Sequence, residues 1–236
     1  MTVYTTQFDM LKLVANALGS DLREQMTFVG GCTTGLLITD AFTREQVRST
    51  DDVDLIVHVM GYPAFMTLQQ RLTERGFQNS PPPPGETIPI CAMMLGALRV
   101  DFMPDDENVL GFSNRWYRQA METATDYVLE GELTIKLVNP VYFIATKLEA
   151  YKGRGGGDAL SSRDIEDILH VTDGRHELLD EVNAASVEVR QYICDQITLL
   201  LEDNNFQYAV QSQSLGSKDR ESFLFKKLET LARGRQ

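Results

Sequence analysis

The stretch with the most chemical potential is Arg48-Ser49-Thr50-Asp51-Asp52-Val53-Asp54-Leu55-Ile56-Val57. Val53, Leu55, Ile56 and Val57 have the composition of a strand in a covered sheet. Side chains two apart on a strand share a face, so Asp52 and Asp54 hold two carboxylates side by side. Like charges that close repel each other unless a cation lies between them. Oxygen ligands suit a hard divalent cation, Mg²⁺ (or Mn²⁺). The same ten residues also fit a solvated acidic turn leading into a strand.

A third carboxylate follows downstream. Ile88 to Leu95 and Ala97 to Met103 read as two strands joined by a tight turn at Gly96, and Pro104 ends the second. Leu98, Val100 and Phe102 take one face of that strand, while Arg99 and Asp101 take the other. An Asp inside an apolar strand is costly to bury unless it is paired or liganded. Asp101 could join the first two carboxylates across neighbouring strands, or face water from an edge strand. Upstream, the strand Met26 to Val29 ends at Gly30-Gly31, and Cys32 to Ile38 reads as a helix. Glycines let a backbone approach a phosphate closely, and free amides at a helix start point at the anion. The pair equally fits a plain strand-to-helix turn.

These groups need elements to position them. Residues 7 to 24 read as a helix, with Phe8, Leu11, Ala15 and Leu18 at helical spacing. Residues 40 to 50 read as a polar connection. Residues 62 to 76 read as a helix with Gly76 as its stop. Pro81 to Pro84 read as a stiff surface loop. Residues 105 to 112 read as a polar loop, and Asn114 to Ala124 as a short helical stretch in which Trp116 serves as core or wall. Tyr127 to Leu129 and Leu133 to Val138 read as a hairpin. From Pro140 the pattern becomes helical: Pro140 suits a first turn, and Ser162 precedes a second helix entry. The fold class is therefore mixed α/β over residues 1–139, followed by a helical C-terminal domain over residues 140–236.

Composition narrows the functions. The chain has 236 residues, 43% of them hydrophobic, enough for a sizeable core. Its net charge of −12 argues against a broad nucleic-acid-binding surface. No apolar run reaches the roughly 18 residues that a membrane helix needs. The N-terminus lacks a signal-peptide layout, and the three cysteines have no metal-binding spacing, so the expected setting is reduced and cytoplasmic, away from the membrane.

Taken together, a glycine pair at a helix start, Asp-x-Asp on the next strand and an Asp on a later strand match the layout of the polymerase β-type nucleotidyltransferase superfamily. Phe28-Val29-Gly30-Gly31, the Arg48 to Leu55 run and Val100-Asp101-Phe102-Met103-Pro104 resemble the nucleotidyltransferases of the AbiEii/AbiGii toxin family. Pro140 to Ala150 is similar to that family's lysine helix, and Ser162 to Ile168 to its downstream acidic helix. The resemblance covers roughly residues 26 to 175. It implies a polymerase β-like domain with a mixed twisted sheet.

The resemblance also implies roles. Asp52, Asp54 and Asp101 would ligate the metals, and Asp101 would help activate the acceptor hydroxyl. Gly30 and Gly31 would hold the phosphates of an NTP, with Thr33 or Thr34 as hydroxyl donors. Lys147 would meet the triphosphate as a point charge. Asp164 would stand on the helical side of the site, with Arg154 and Arg163 as lesser phosphate contacts. Asp167 fits an ordinary surface residue equally well. The expected activity is transfer of an NMP from an NTP to an acceptor hydroxyl, with release of pyrophosphate. In toxin relatives the acceptor includes RNA and tRNA ends, and a cognate antitoxin restrains the enzyme. Two other readings stay open: transfer to a small molecule such as an aminoglycoside, which an acidic chain suits, and a catalytically idle nucleotide-binding module. Two features depart from the superfamily pattern. Gly30-Gly31-Cys32 replaces Gly-Ser, and the long gap from Gly31 to Asp52 makes residues 40 to 49 an inserted loop.

Overall fold

The computed structural model describes residues 2–79, 91–154 and 157–234. The chain divides into two compact units. One comprises Met1–Thr33 with Ser49–Asn139, and the other Thr34–Arg48 with Pro140–Gln236. The architecture is α/β, with a seven-stranded mixed sheet in the N-terminal part and a largely helical C-terminal part. Among the described residues, no helix is long and apolar enough to cross a membrane.

The elements run in the order α1 (Val3–Arg23), β1 (Met26–Val29), a 3₁₀ turn (Gly31–Thr33), α2 (Thr34–Leu37), α3 (Ala41–Arg44), β2 (Asp52–Val57), α4 (Gly61–Glu74), β3 (Gln78–Asn79), β4 (Ala92–Leu95) and β5 (Leu98–Pro104). Then come α5 (Glu107–Leu110), α6 (Tyr117–Glu122), β6 (Thr125–Glu130), β7 (Leu133–Leu137), α7 (Pro140–Gly153) and α8 (Arg163–Gly174). The chain finishes with α9 (Leu178–Ala184), α10 (Val187–Leu201), α11 (Asn204–Gln213) and α12 (Lys218–Arg233).

In the first unit, α1 starts at Thr2, whose side chain accepts from the Thr5 amide at 3.2 Å. Its buried stripe is Leu11, Val14, Ala15, Leu18 and Leu22. The sheet order is β3-β4-β5-β2-β1-β7-β6. Strand β2 lies at its centre, antiparallel to β1 and parallel to β5. That placement requires β2 to be apolar: Val53, Leu55, Ile56 and Val57 are buried there, together with Phe28 of β1 and Val100 and Phe102 of β5. Both hairpins, β4–β5 and β6–β7, turn through glycines with positive φ, Gly96 at 62° and Gly131 at 55°.

Several local readings are corrected. The helix expected over Cys32 to Ile38 is a 3₁₀ turn and a single helical turn. Thr33, Thr34 and Gly35 are weak helix formers packed in succession, which accounts for the break. The polar connection at 40–50 contains α3, capped by Asp40, whose carboxylate accepts from the Thr43 amide at 2.7 Å. The polar loop at 105–112 contains α5, capped by Asp106 and ended by Gly111 at φ 81°. The proline loop Pro81 to Pro84, and residues 88–90 of the expected strand, lie outside the described residues.

In the second unit, α7 is buried continuously from Pro140 to Leu148, as suits a central helix. Residues 34–48 join this unit by packing on the C-terminus of α8. The amides of Thr39 and Asp40 donate to the Gly174 carbonyl at 3.0 and 2.8 Å, and Arg175 Nη1 donates to the Leu37 carbonyl at 2.7 Å. Gly174 has no room for a side chain: a Cβ there would lie 2.6 Å from Ile38 Cγ2 and 2.7 Å from Thr43 Cγ2. Lys227 of α12 caps the same helix end, with Nζ donating to the carbonyls of Thr172 (2.9 Å), Asp173 (3.2 Å) and Arg175 (3.2 Å).

Candidate metal centre

The register between β2 and β5 builds the centre. Asp52 lies opposite Arg99, and Asp54 lies opposite Asp101. Because side chains alternate, all four project from one face of the sheet as a two-by-two patch. Asp52, Asp54 and Asp101 each offer a carboxylate oxygen, and these atoms lie within 4.8 Å of one another. Two oxygens held by one ion at about 2.1–2.4 Å lie at most about 4.2–4.8 Å apart, so the three can converge on a single cation with small side-chain adjustments.

Each carboxylate is held differently. The Thr50 hydroxyl donates to Asp52 Oδ1. Arg99 donates a two-point bond to Asp101, Nε to Oδ1 at 2.9 Å and Nη2 to Oδ2 at 2.7 Å. Burial pushes the Asp101 carboxyl above its ordinary range. Arg99 opposes that shift, and the nearby charge of Asp52 adds to it. Asp54 rests against Gly30. A Cβ on Gly30 would lie 2.6 Å from Asp54 Cγ and 2.8 Å from Asp54 Cβ, and closer still to Oδ2. Gly30 also adopts φ 80°, a conformation that side chains rarely take. The glycine thus opens the space that the Asp54 carboxylate occupies. Cys91, beside Asp101, is held as a neutral thiol: burial and the Asp101 charge push it to about 12. The donor set is therefore hard oxygen, which fits Mg²⁺ or Mn²⁺.

The other sequence-selected residues fall into separate groups. Gly31 opens the 3₁₀ turn, and the buried Thr33 hydroxyl donates to the Gly30 carbonyl at 2.8 Å, bracing the glycine turn. Lys147 and Asp164 come together in the second unit at 3.3 Å, where Arg154 also meets Asp164 at 2.6 Å. Arg163 is exposed.

Asp167 is a correction. Read as equally suited to the surface, it is fully buried, bonded by Lys147 Nζ at 2.7 Å and by Arg48 through two contacts of 2.9 Å. Burial pushes its carboxyl up, but the two cations outweigh that and hold it below its ordinary range. No spacing rule links residues 119 apart in sequence, so the Arg48–Asp167 pair was not legible. Arg99 carried a visible signal: a base two residues from a strand Asp sits on the same face. No family model matches the chain, and no curated protein matches it.

Proposed function

We propose that the protein is a divalent-cation-dependent nucleotidyltransferase of the polymerase β type, similar to the AbiEii/AbiGii toxin enzymes. The observation that carries this reading is the convergence of Asp52, Asp54 and Asp101 from two paired strands of a mixed sheet. A cation bound there would act as a Lewis acid on the attacking hydroxyl and neutralise the departing pyrophosphate. Asp52 and Asp54 would hold that charge in place, and Gly30 leaves the room that Asp54 occupies. The acceptor oxygen attacks the α-phosphorus of an NTP, the bond to the β-phosphate oxygen breaks, and pyrophosphate leaves. In this reading Asp101 would take the hydroxyl proton, the role that the family resemblance implies for the third carboxylate.

The acceptor in this reading is a hydroxyl of RNA, tRNA ends included, and a cognate antitoxin would be the partner. Incubation with each α-labelled NTP, Mg²⁺ and total tRNA, beside Asp54→Ala, tests it. Label on RNA with wild type alone is expected. Label on RNA with neither protein would overturn the RNA acceptor. A small-molecule acceptor such as an aminoglycoside is the second reading, favoured by the net charge of −12.

A further inference from the structure

Arg99 has a position that the cation reading does not use. It stands on the carboxylate face directly opposite Asp52 and grips Asp101 through two bonds, while its own side chain remains 43% exposed. With all four groups ionised, the patch holds three negative charges and one positive, so the guanidinium is the charge that offsets the carboxylates. Both Asp101 oxygens are engaged by Arg99, and one of them is also the oxygen a cation would need. Each oxygen keeps a second lone pair, so the conflict is one of charge: a guanidinium and a divalent cation on the same carboxylate repel each other, and the exposed side of Arg99 gives the guanidinium somewhere to go.

We propose that Arg99 is a built-in competitor for the divalent cation: it neutralises Asp101 until the cation displaces it, and the released guanidinium is then presented on the same sheet face to an anionic phosphate group of the substrate. This rests on the cation site proposed above. Arg99 is thereby a positioning residue that couples the cation to an anionic substrate. Coupling of this kind is reciprocal, so a phosphate ligand that draws Arg99 away also strengthens cation binding. The guanidinium's rigid fork suits both the carboxylate it leaves and the phosphate it meets.

The test is Mn²⁺ titration followed by electron paramagnetic resonance, on wild type, Arg99→Gln, Arg99→Lys and Asp54→Asn, each with and without pyrophosphate. Circular dichroism on every variant verifies the fold. Arg99→Gln is expected to bind Mn²⁺ about tenfold tighter than wild type, a difference of about 1.4 kcal/mol. Arg99→Lys, which retains the charge but loses the two-point bond, is expected to fall between them. Pyrophosphate is expected to tighten Mn²⁺ binding more in wild type than in Arg99→Gln. Equal or weaker Mn²⁺ binding by Arg99→Gln overturns the competition while leaving the cation site standing. Failure of both wild type and Arg99→Gln to bind Mn²⁺ overturns the cation site itself, and the competition with it.

Discussion

Gly30→Ala separates two roles for the glycine turn. If Gly30 exists to make room for Asp54, the new methyl meets Asp54 Cγ at 2.6 Å and Cβ at 2.8 Å. The left-handed backbone at φ 80° adds about 1–2 kcal/mol of strain, and overpacking of this kind adds about 1–3 kcal/mol. The expected loss is therefore about 2–5 kcal/mol, with Asp54 displaced and Mn²⁺ binding lost. Asp54→Ala removes Cγ and both oxygens but leaves Cβ, so part of the clash and all the backbone strain persist. In that background Gly30→Ala is expected to cost about 1–2 kcal/mol less than in wild type. Urea unfolding of the four proteins measures the coupling from the midpoints. Costs that add to within about 0.5 kcal/mol would refute the account, because a glycine serving only phosphate approach has no reason to sense the Asp54 carboxylate.

Four further outcomes follow from the packing. Asp167→Ala removes the buried carboxylate that Lys147 and Arg48 share, leaving Lys147 with Asp164, and is expected to cost about 3–5 kcal/mol in urea unfolding; a change under about 0.5 kcal/mol would contradict the buried pairing. Since the Asp167 carboxyl is held below its ordinary 3.8, its stabilisation is present above that value and lost as pH falls through the lower folded value; Asp167→Asn should flatten this part of the acid limb. Lys227 runs the other way: burial lowers its pKa from 10.5, so the unfolded chain holds the extra proton in between and stability rises with pH across that window, a slope that Lys227→Met should remove. Gly174→Ala is expected to cost about 1–3 kcal/mol through contact with Ile38 and Thr43, and to speed hydrogen exchange at the Thr39 and Asp40 amides that bond to its carbonyl.

The strands that build the centre were legible because they are apolar and β-branched: β1 and β2 begin and end where the residue types change. The Asp52–Asp54 spacing announced a shared face. What the sequence withheld was register. Nothing in it places Asp101 opposite Asp54 rather than one residue away, where the carboxylate would face the other side of the sheet. The one-turn helices α3 and α5 were missed because four residues show no periodicity, although the caps Asp40 and Asp106 were there to be read. Asp167 stayed open between a functional and a surface reading because its partner Arg48 lies far away along the chain. The attachment of residues 34–48 to the helical unit depends on Gly174 being small, a fact about packing that composition does not carry.

The most direct test of the centre is isothermal calorimetry of Mg²⁺ and Mn²⁺ with wild type and with Asp52→Asn, Asp54→Asn and Asp101→Asn, each verified as folded. Saturable binding to wild type is expected, and each single substitution is expected to weaken it severely, since each removes one of three converging oxygens. Wild-type binding that all three substitutions leave unchanged, or no binding to wild type, would contradict the centre.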